Sequence, residues 1–152
     1  MLLWMYYDET KDIFEKDFSK YDLEDVLNFI NSKDDKSYHY ACADDDDNYL
    51  GTISLKNVDL NNSNAELAIS FIKEAQGTGA ATFAIKKVLN IAFNNLLLNK
   101  VYLNVLETNA RAKAFYKKVG FTKEGCFKNH IKKNGRYVDL EWYAFFKDDF
   151  NI

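Results

Sequence analysis

Two glycines separated by one threonine, in Gln76-Gly77-Thr78-Gly79-Ala80-Ala81, mark the stretch of this sequence that is best suited to binding chemistry. Glycine adopts positive φ and leaves no Cβ in the way of a ligand, and the first amides of a helix have no intrahelical partners. Such a turn can bind a phosphate through its N–H groups. An ordinary strand-to-helix turn is the alternative, because the segment lacks the Lys-Ser/Thr of a P-loop and a third glycine.

The elements on either side of this turn are a strand and a helix. Alternation at residues 66–72 predicts a strand with one apolar face, which must pack, and one face that presents a carboxylate and a hydroxyl. Apolar residues after the turn recur at helical spacing, so a helix covers a sheet. The strand faces are Leu67, Ile69 and Phe71 against Glu66, Ala68 and Ser70, and the helix stripe is Ala81, Ala84, Ile85, Val88, Leu89 and Ala92.

Local signals place a helix and a hairpin nearer the N-terminus. Asp22 and Asp25 have the spacing of a capping box, and an apolar stripe follows them. Segments 38–43 and 49–55 are rich in β-formers and flank the acidic tip 44–48, which predicts a hairpin. The tip lacks the glycine and the distal glutamate of a calcium loop, so a solvated turn is favoured.

The C-terminal half continues with strands and one more helix. Residues 100–106 predict a strand, and Thr108-Asn109 can cap a helix that ends at Gly120. Segments 130–133 and 136–146 flank Asn134-Gly135, a strong two-residue turn signal, and predict a hairpin. The order is helices, ββ, β-helix-β-helix, ββ, which predicts a mixed α/β (α+β) domain without an internal repeat.

Composition and charge limit the possible classes of protein. The 152 residues are 47% hydrophobic, which fits one domain over residues 1–152. No run approaches the roughly 20 apolar residues of a membrane span, and the first residues lack a basic signal-peptide start, so a cytoplasmic protein is expected. Cys42 and Cys126 have neither disulfide-framework nor metal-ligand spacing, which predicts buried reduced thiols and no metal.

The charges divide unevenly along the chain. Residues 1–50 contain 14 Asp and Glu against 5 Lys and Arg, whereas residues 51–152 contain 9 against 15. A basic C-terminal part suits a polyphosphate ligand, and an acidic N-terminal part suits a cationic partner. The overall acidic balance disfavours nucleic-acid binding.

These residues carry a resemblance to a known family. The turn at 76–81 is similar to the Gln/Arg-x-x-Gly-x-Gly/Ala acetyl-CoA motif of the GNAT superfamily of N-acetyltransferases, and residues 100–121 resemble its second motif. Glu124-Gly125 and residues 130–139 are similar to the branch that acetylates ribosomal-protein N-termini, amino sugars and polyamines. The resemblance implies a mixed central sheet of about six strands flanked by helices.

One departure from the family concerns the N-terminus. Relatives begin with a strand before the first helix, whereas residues 2–7 and 12–18 suggest short helical pieces here. Two explanations are open: the first family strand is missing, or the start assigned to this sequence is late. Loss of the strand would expose the edge near residues 38–43, where a homodimer could form by strand pairing.

The resemblance also implies a mechanism, in which acetyl-CoA is the co-substrate and a primary amine of a small molecule or a protein N-terminus attacks the thioester directly. Glu66 would be the base and Tyr116 the general acid. Their alternatives are an exposed strand glutamate and a core aromatic. The cofactor-binding residues implied are Phe71 and Ile72 at the pantetheine arm, Gln76, Gly77, Thr78, Gly79, Ala80 and Ala81 at the pyrophosphate, and Asn109, which alternatively only caps a helix.

Two further expectations concern the class of function and the acceptor. The alternative to an acetyltransferase is a member of the same fold that binds acyl-CoA without catalysis, and the presence of both Glu66 and Tyr116 argues against it. The N-terminal region forms one wall of the acceptor cleft in relatives, and an acidic wall favours a cationic amine over an anionic nucleotide sugar. The residues concerned are Asp8, Glu9, Asp12, Glu15 and Asp17.

Overall fold

The computed structural model of the protein describes residues 22–31 and 36–151. Within these residues, three α-helices and six strands follow one another in the predicted order. They are α1 (Leu23–Asn31), β1 (Tyr38–Ala43), β2 (Tyr49–Asp59), β3 (Asn64–Phe71), α2 (Ala80–Asn90), β4 (Lys100–Leu106), α3 (Ala110–Val119), β5 (Thr122–Lys133) and β6 (Arg136–Phe146). Short 3₁₀ turns at Lys73–Ala75 and Lys147–Asp149 and a π-helical turn at Ile91–Asn95 complete these elements.

All six strands form one mixed sheet, with the order β1-β2-β3-β4-β6-β5. Only β3 and β4 run parallel, because α2 crosses between them, and the other neighbours are antiparallel. The expected mixed α/β sheet of six strands is therefore confirmed.

Several local predictions hold in detail. Asp25 N–H donates to Asp22 Oδ1 and Asp22 N–H donates to Asp25 Oδ2, both at 3.0 Å, so the capping box exists. Asn134 and Gly135 adopt φ of 48° and 76°, as a two-residue hairpin turn of this kind requires. The strand at residues 100–106 has the predicted bounds.

Two strands are longer than their sequence patterns predicted. β2 extends to Asp59, and β5 begins at Thr122 rather than near His130. Both strands contain irregular pairing, with Asn57 and Asn129 at positive φ. Such bulges reset which side chains face the core, so the alternation that identifies a strand is broken there.

The core lies on one face of the sheet, where both α2 and α3 pack. Helix α2 buries four side chains in it, whereas α3 contributes only partly buried ones. The most buried large residues are Tyr143, Phe93, Phe121, Ile53, Leu55, Ile85, Leu89, Leu98, Leu103, Leu106 and Val101. This arrangement fixes the start of α2, and therefore the glycine turn, against the sheet.

The N-terminal predictions for segments 2–7 and 12–18 lie outside the described residues, and so does the question of a missing first strand. Within the described part, β1 stands at one end of the sheet, and pairing with a second copy there stays a prediction. Cys42 and Cys126 are free thiols, but they are partly rather than fully buried. No helix among residues 22–31 and 36–151 has the length and apolar character to cross a membrane.

Candidate active site

The two parallel strands separate soon after they begin to pair. β3 and β4 are in register only from Asn64 opposite Lys100 to Glu66 opposite Tyr102. Beyond that point β3 continues beside β2 as far as Phe71, and β4 continues beside β6 as far as Leu106. Backbone groups of β3 that point toward β4 therefore have no strand partner among the described residues. A gap between two strands can accept an extended ligand chain.

The glycine turn lies at the end of β3, beside this gap. Gly77 and Gly79 adopt φ of 79° and 91°, which side-chain-bearing residues rarely adopt. A Cβ added at either position would meet nothing within 4 Å, so the space above the turn is open. Thr78 Oγ1 braces the turn, because it donates to the Ala75 carbonyl at 2.7 Å and accepts from the Ala80 N–H at 3.3 Å.

The start of α2 leaves donors for an anion. Gly79 occupies the cap position without a side-chain cap, and the first backbone hydrogen bond of the helix runs from Phe83 N–H to the Gly79 carbonyl at 3.0 Å. Within the described chain, the N–H groups of Ala81 and Thr82 have no acceptor. The first turn contains no acidic residue. The turn can therefore bind a phosphate through backbone amides, as its sequence predicts.

Glu66 lies on the sheet face opposite α2 and α3, as alternation predicted. Three side chains hold its carboxylate: Lys56 Nζ lies 3.2 Å from Oε1, Asn57 Nδ2 donates to Oε2 at 2.8 Å, and Asn104 Nδ2 donates to Oε1 at 3.2 Å. The side chain is 13% exposed. Glu66 therefore joins β2, β3 and β4 at the point where the gap opens.

Tyr116 lies on α3, on the core side of the sheet. Its ring packs against Phe115 and Phe121, with centroids 5.6 and 5.9 Å away. Burial raises the pKa of the phenol well above its usual range. The hydroxyl has no hydrogen-bond partner among the described residues. Tyr116 is thus a core-facing aromatic, and its role as a general acid stays a prediction.

Glu66 and Tyr116 do not contact each other, because they belong to opposite faces of the sheet. A joint role of the two side chains in one reaction stays a prediction.

Asn109 caps a helix, which is the structural alternative to cofactor binding that its sequence position suggests. Its Oδ1 accepts from Ala112 N–H at 3.1 Å, which caps α3. Gly120 closes the same helix with φ of 118°. A contact between Asn109 and the pantetheine arm, like those of Phe71 and Ile72, stays a prediction.

Several residues of the site were not identified from the sequence. Lys56 and Asn104 hold Glu66, and they could be recognised only from the strand register. Gly51 lies opposite Phe71, and a Cβ there would collide with the Ser70 carbonyl and the Phe71 ring. No cluster suited to a metal ion occurs in the described part of the chain.

Comparison with known proteins gives consistent matches. The model of the acetyltransferase (GNAT) domain matches residues 3–122. The putative ribosomal N-acetyltransferase YdaF of Bacillus subtilis is 34% identical over 102 residues, which are 67% of this chain and 56% of that protein. The spermidine N(1)-acetyltransferase of Vibrio cholerae is 31% identical over 129 residues, which are 84% of this chain and 74% of that protein.

A solved structure extends the match to the fold. The spermidine N-acetyltransferase from Vibrio cholerae, in complex with CoA and spermine, superimposes with a TM-score of 0.79 at 26% identity. The superposition covers 86% of this chain and 79% of that one. The chain spans only 56% of the length of YdaF, so that relative extends well beyond the matched part.

Proposed function

This chain belongs to the GNAT acetyltransferase family, whose acyl donor is acetyl-CoA, and from this premise we propose that it transfers an acetyl group to a primary amine. The observation that supports this most is the gap between β3 and β4 beside the glycine turn. The turn offers amides for the pyrophosphate, and the unpaired edge of β3 near Phe71 and Ile72 offers backbone groups for the pantetheine arm. We also infer that residues 1–152 form one domain around this site.

The proposed chemistry begins with the acceptor. An alkylammonium with a pKa near 10.4 must lose a proton before it attacks, which costs about 4 to 5 kcal/mol at pH 7. The Glu66 carboxylate, directly or through a water molecule, takes that proton. The amine nitrogen then bonds to the thioester carbonyl carbon and forms a tetrahedral intermediate.

Breakdown of the intermediate requires a second proton transfer. The C–S bond breaks as the carbonyl re-forms, and the CoA sulfur receives a proton from the Tyr116 hydroxyl. The nitrogen of the intermediate loses its second proton, and this proton restores the phenol through solvent. Glu66 releases the first proton to solvent. The products are the acetylated amine and CoA, and no covalent enzyme intermediate is required.

We propose a cationic small amine as the acceptor, with a protein N-terminus as the second candidate. One relative is named a spermidine N(1)-acetyltransferase, which supports the small amine. Another is named a putative ribosomal N-acetyltransferase, and for this reason we keep a protein N-terminus as the second candidate. The acidic N-terminal region favours the cationic amine.

A panel of acceptors assayed with acetyl-CoA tests this function. The panel contains spermidine, a basic N-terminal peptide and a nucleotide-linked amino sugar, and release of CoA thiol is measured. Turnover of spermidine would support the proposal, and preference for the nucleotide sugar would contradict the choice of acceptor. Acetyl-CoA binding without turnover of any amine would instead indicate a non-catalytic acyl-CoA-binding protein.

A further inference from the structure

A buried carboxylate lies beneath α3, away from the residues discussed so far. Glu141 on β6 is 6% exposed and faces the same side of the sheet as Tyr143. Its Oε2 accepts the Tyr143 hydroxyl at 2.8 Å, whereas its Oε1 lies 2.9 Å from Lys123 Nζ and 3.7 Å from Lys113 Nζ. A buried charge persists only when it is paired in this way.

The surroundings keep Glu141 ionised. Burial by itself raises the pKa of this carboxyl, but the hydrogen bonds from Lys123 and Tyr143 outweigh it. The charge of Lys113 acts in the same direction, and the pKa lies below its usual range. The carboxylate therefore attracts two ammonium groups at neutral pH.

The two lysines belong to different elements. Lys113 lies on α3, about one helical turn before Tyr116. Lys123 lies on β5, the strand that follows α3 and pairs with β6. Helix α3 has no fully buried residue, so apolar packing holds it less firmly than it holds α2. A fixed anion beneath the helix thus supplies a restraint that the packing lacks.

We propose that Glu141 is a positioning residue, which holds α3 against β6 through Lys113 and thereby fixes the position of Tyr116 on that helix. The effect of Glu141 on the turnover rate rests on the proposed acetyl transfer. The restraint on α3 itself is independent of any activity. It can therefore be measured on the protein alone.

The experiment compares Glu141→Gln with Glu124→Gln as the matched control. Glu124 pairs with Lys100 at 2.6 Å, and neither residue belongs to α3. In Glu141→Gln, hydrogen exchange of the α3 amides should rise about 10-fold, with no comparable rise in α2. The turnover rate should fall about 10-fold while the KM for acetyl-CoA changes less than about twofold. Glu124→Gln should match the wild type in both measurements.

A second variant keeps the proposal testable if Glu141→Gln folds poorly. Lys113→Met removes the pairing group on the helix and leaves Lys123 to neutralise the carboxylate. It should also speed exchange in α3 and lower the turnover rate. Equal exchange and equal turnover in both variants and the wild type would overturn the proposal. A wild-type protein that acetylates no amine would refute the proposed function, but the exchange result would still decide the role of Glu141.

Discussion

Glu66 and Tyr102 form the last registered pair between β3 and β4, and the two strands separate immediately beyond them. Asn104, two residues farther along β4, still reaches back to the Glu66 carboxylate at 3.2 Å. The candidate base therefore lies at the apex of the gap.

Acetyl-CoA should stabilise the fold by binding at the glycine turn. A ligand that binds only the native state adds about 2.7 kcal/mol at 100 times its Kd, which a thermal shift detects. Gly79→Glu should abolish the shift, because it places a negative charge where a phosphate would lie. Gly79→Ala is the control, since it shares the strain of a positive φ, about 1 to 2 kcal/mol, but adds no charge. A normal shift in Gly79→Glu would mean that the phosphate lies elsewhere.

Tyr116→Phe should lower the turnover rate about 10² to 10⁴-fold with little loss of stability. The substitution keeps the ring that packs against Phe121 and removes only the hydroxyl. Tyr137→Phe, at a tyrosine that is 62% exposed, provides the matched control and should turn over normally. If Tyr116→Phe were as active as the control with a good acceptor, Tyr116 would have only its packing role.

Glu66→Gln should lower the turnover rate at pH 7 about 10²-fold, because the acceptor ammonium would lose its base. The deficit should shrink as the pH rises toward about 10, where the amine is increasingly neutral on its own. Lys56→Met is the control, since it removes an ion pair and keeps the carboxylate. An equal loss of rate in both variants, unchanged by pH, would show that Glu66 only joins the strands.

Asp139 should raise the free energy of unfolding at neutral pH, and this contribution should be lost at acidic pH. The hydrogen bond from Lys128 at 2.7 Å holds the pKa of the Asp139 carboxyl below its usual range, and the Asn129 N–H adds to this. A carboxyl whose pKa is lower in the folded than in the unfolded protein stabilises the fold at pH values above its unfolded-state pKa of about 4. This contribution disappears as the pH falls through the folded-state pKa. Urea unfolding of Asp139→Asn should therefore differ from the wild type more at pH 7 than at pH 3.

Lys128→Met should reproduce part of that loss at pH 7, because it removes the main cause of the lowered pKa. The same unfolding measurements at the two pH values apply. A difference between Asp139→Asn and the wild type that is as large at pH 3 as at pH 7 would rule out a charge effect.

Local signals explain how much of the fold could be predicted. The Asp22 capping box, the Asn134-Gly135 turn and the Gly120 helix end each depend on a few neighbouring residues, and the structure contains all three. The start of β5 could not be predicted in the same way. Its pairing shifts around Gly125 and Asn129, and a broken alternation looks like a loop.

In the candidate site, too, the features that depend on neighbouring residues in the sequence could be predicted, and those that depend on strand pairing could not. The glycine turn and the face of Glu66 follow from local spacing. The partners of Glu66 do not, because Lys56 and Asn104 come next to it only through strand register. The buried Glu141 was missed because its lysine partners come next to it only after β5 has paired with β6 and α3 has packed.

The acidic N-terminal region should determine which acceptor amine the protein prefers. Asp8, Glu9, Asp12, Glu15 and Asp17 lie outside the described residues, so the prediction rests on their charge alone. If they line the acceptor cleft, the KM for spermidine should rise with salt, because exposed charges are screened over a Debye length of about 8 Å at 0.15 M.

Replacing Glu9 and Asp12 together with Gln and Asn should raise the KM for spermidine and leave the acetyl-CoA thermal shift unchanged. Charge is the cause in this account, so the variant should also lose most of the salt dependence of KM. Asp45→Asn with Asp46→Asn, in the exposed tip between β1 and β2, removes the same number of charges elsewhere and serves as the control. If both double variants shifted the KM equally, only the net charge of the protein would matter. If neither did, the N-terminal carboxylates would merely solvate the surface.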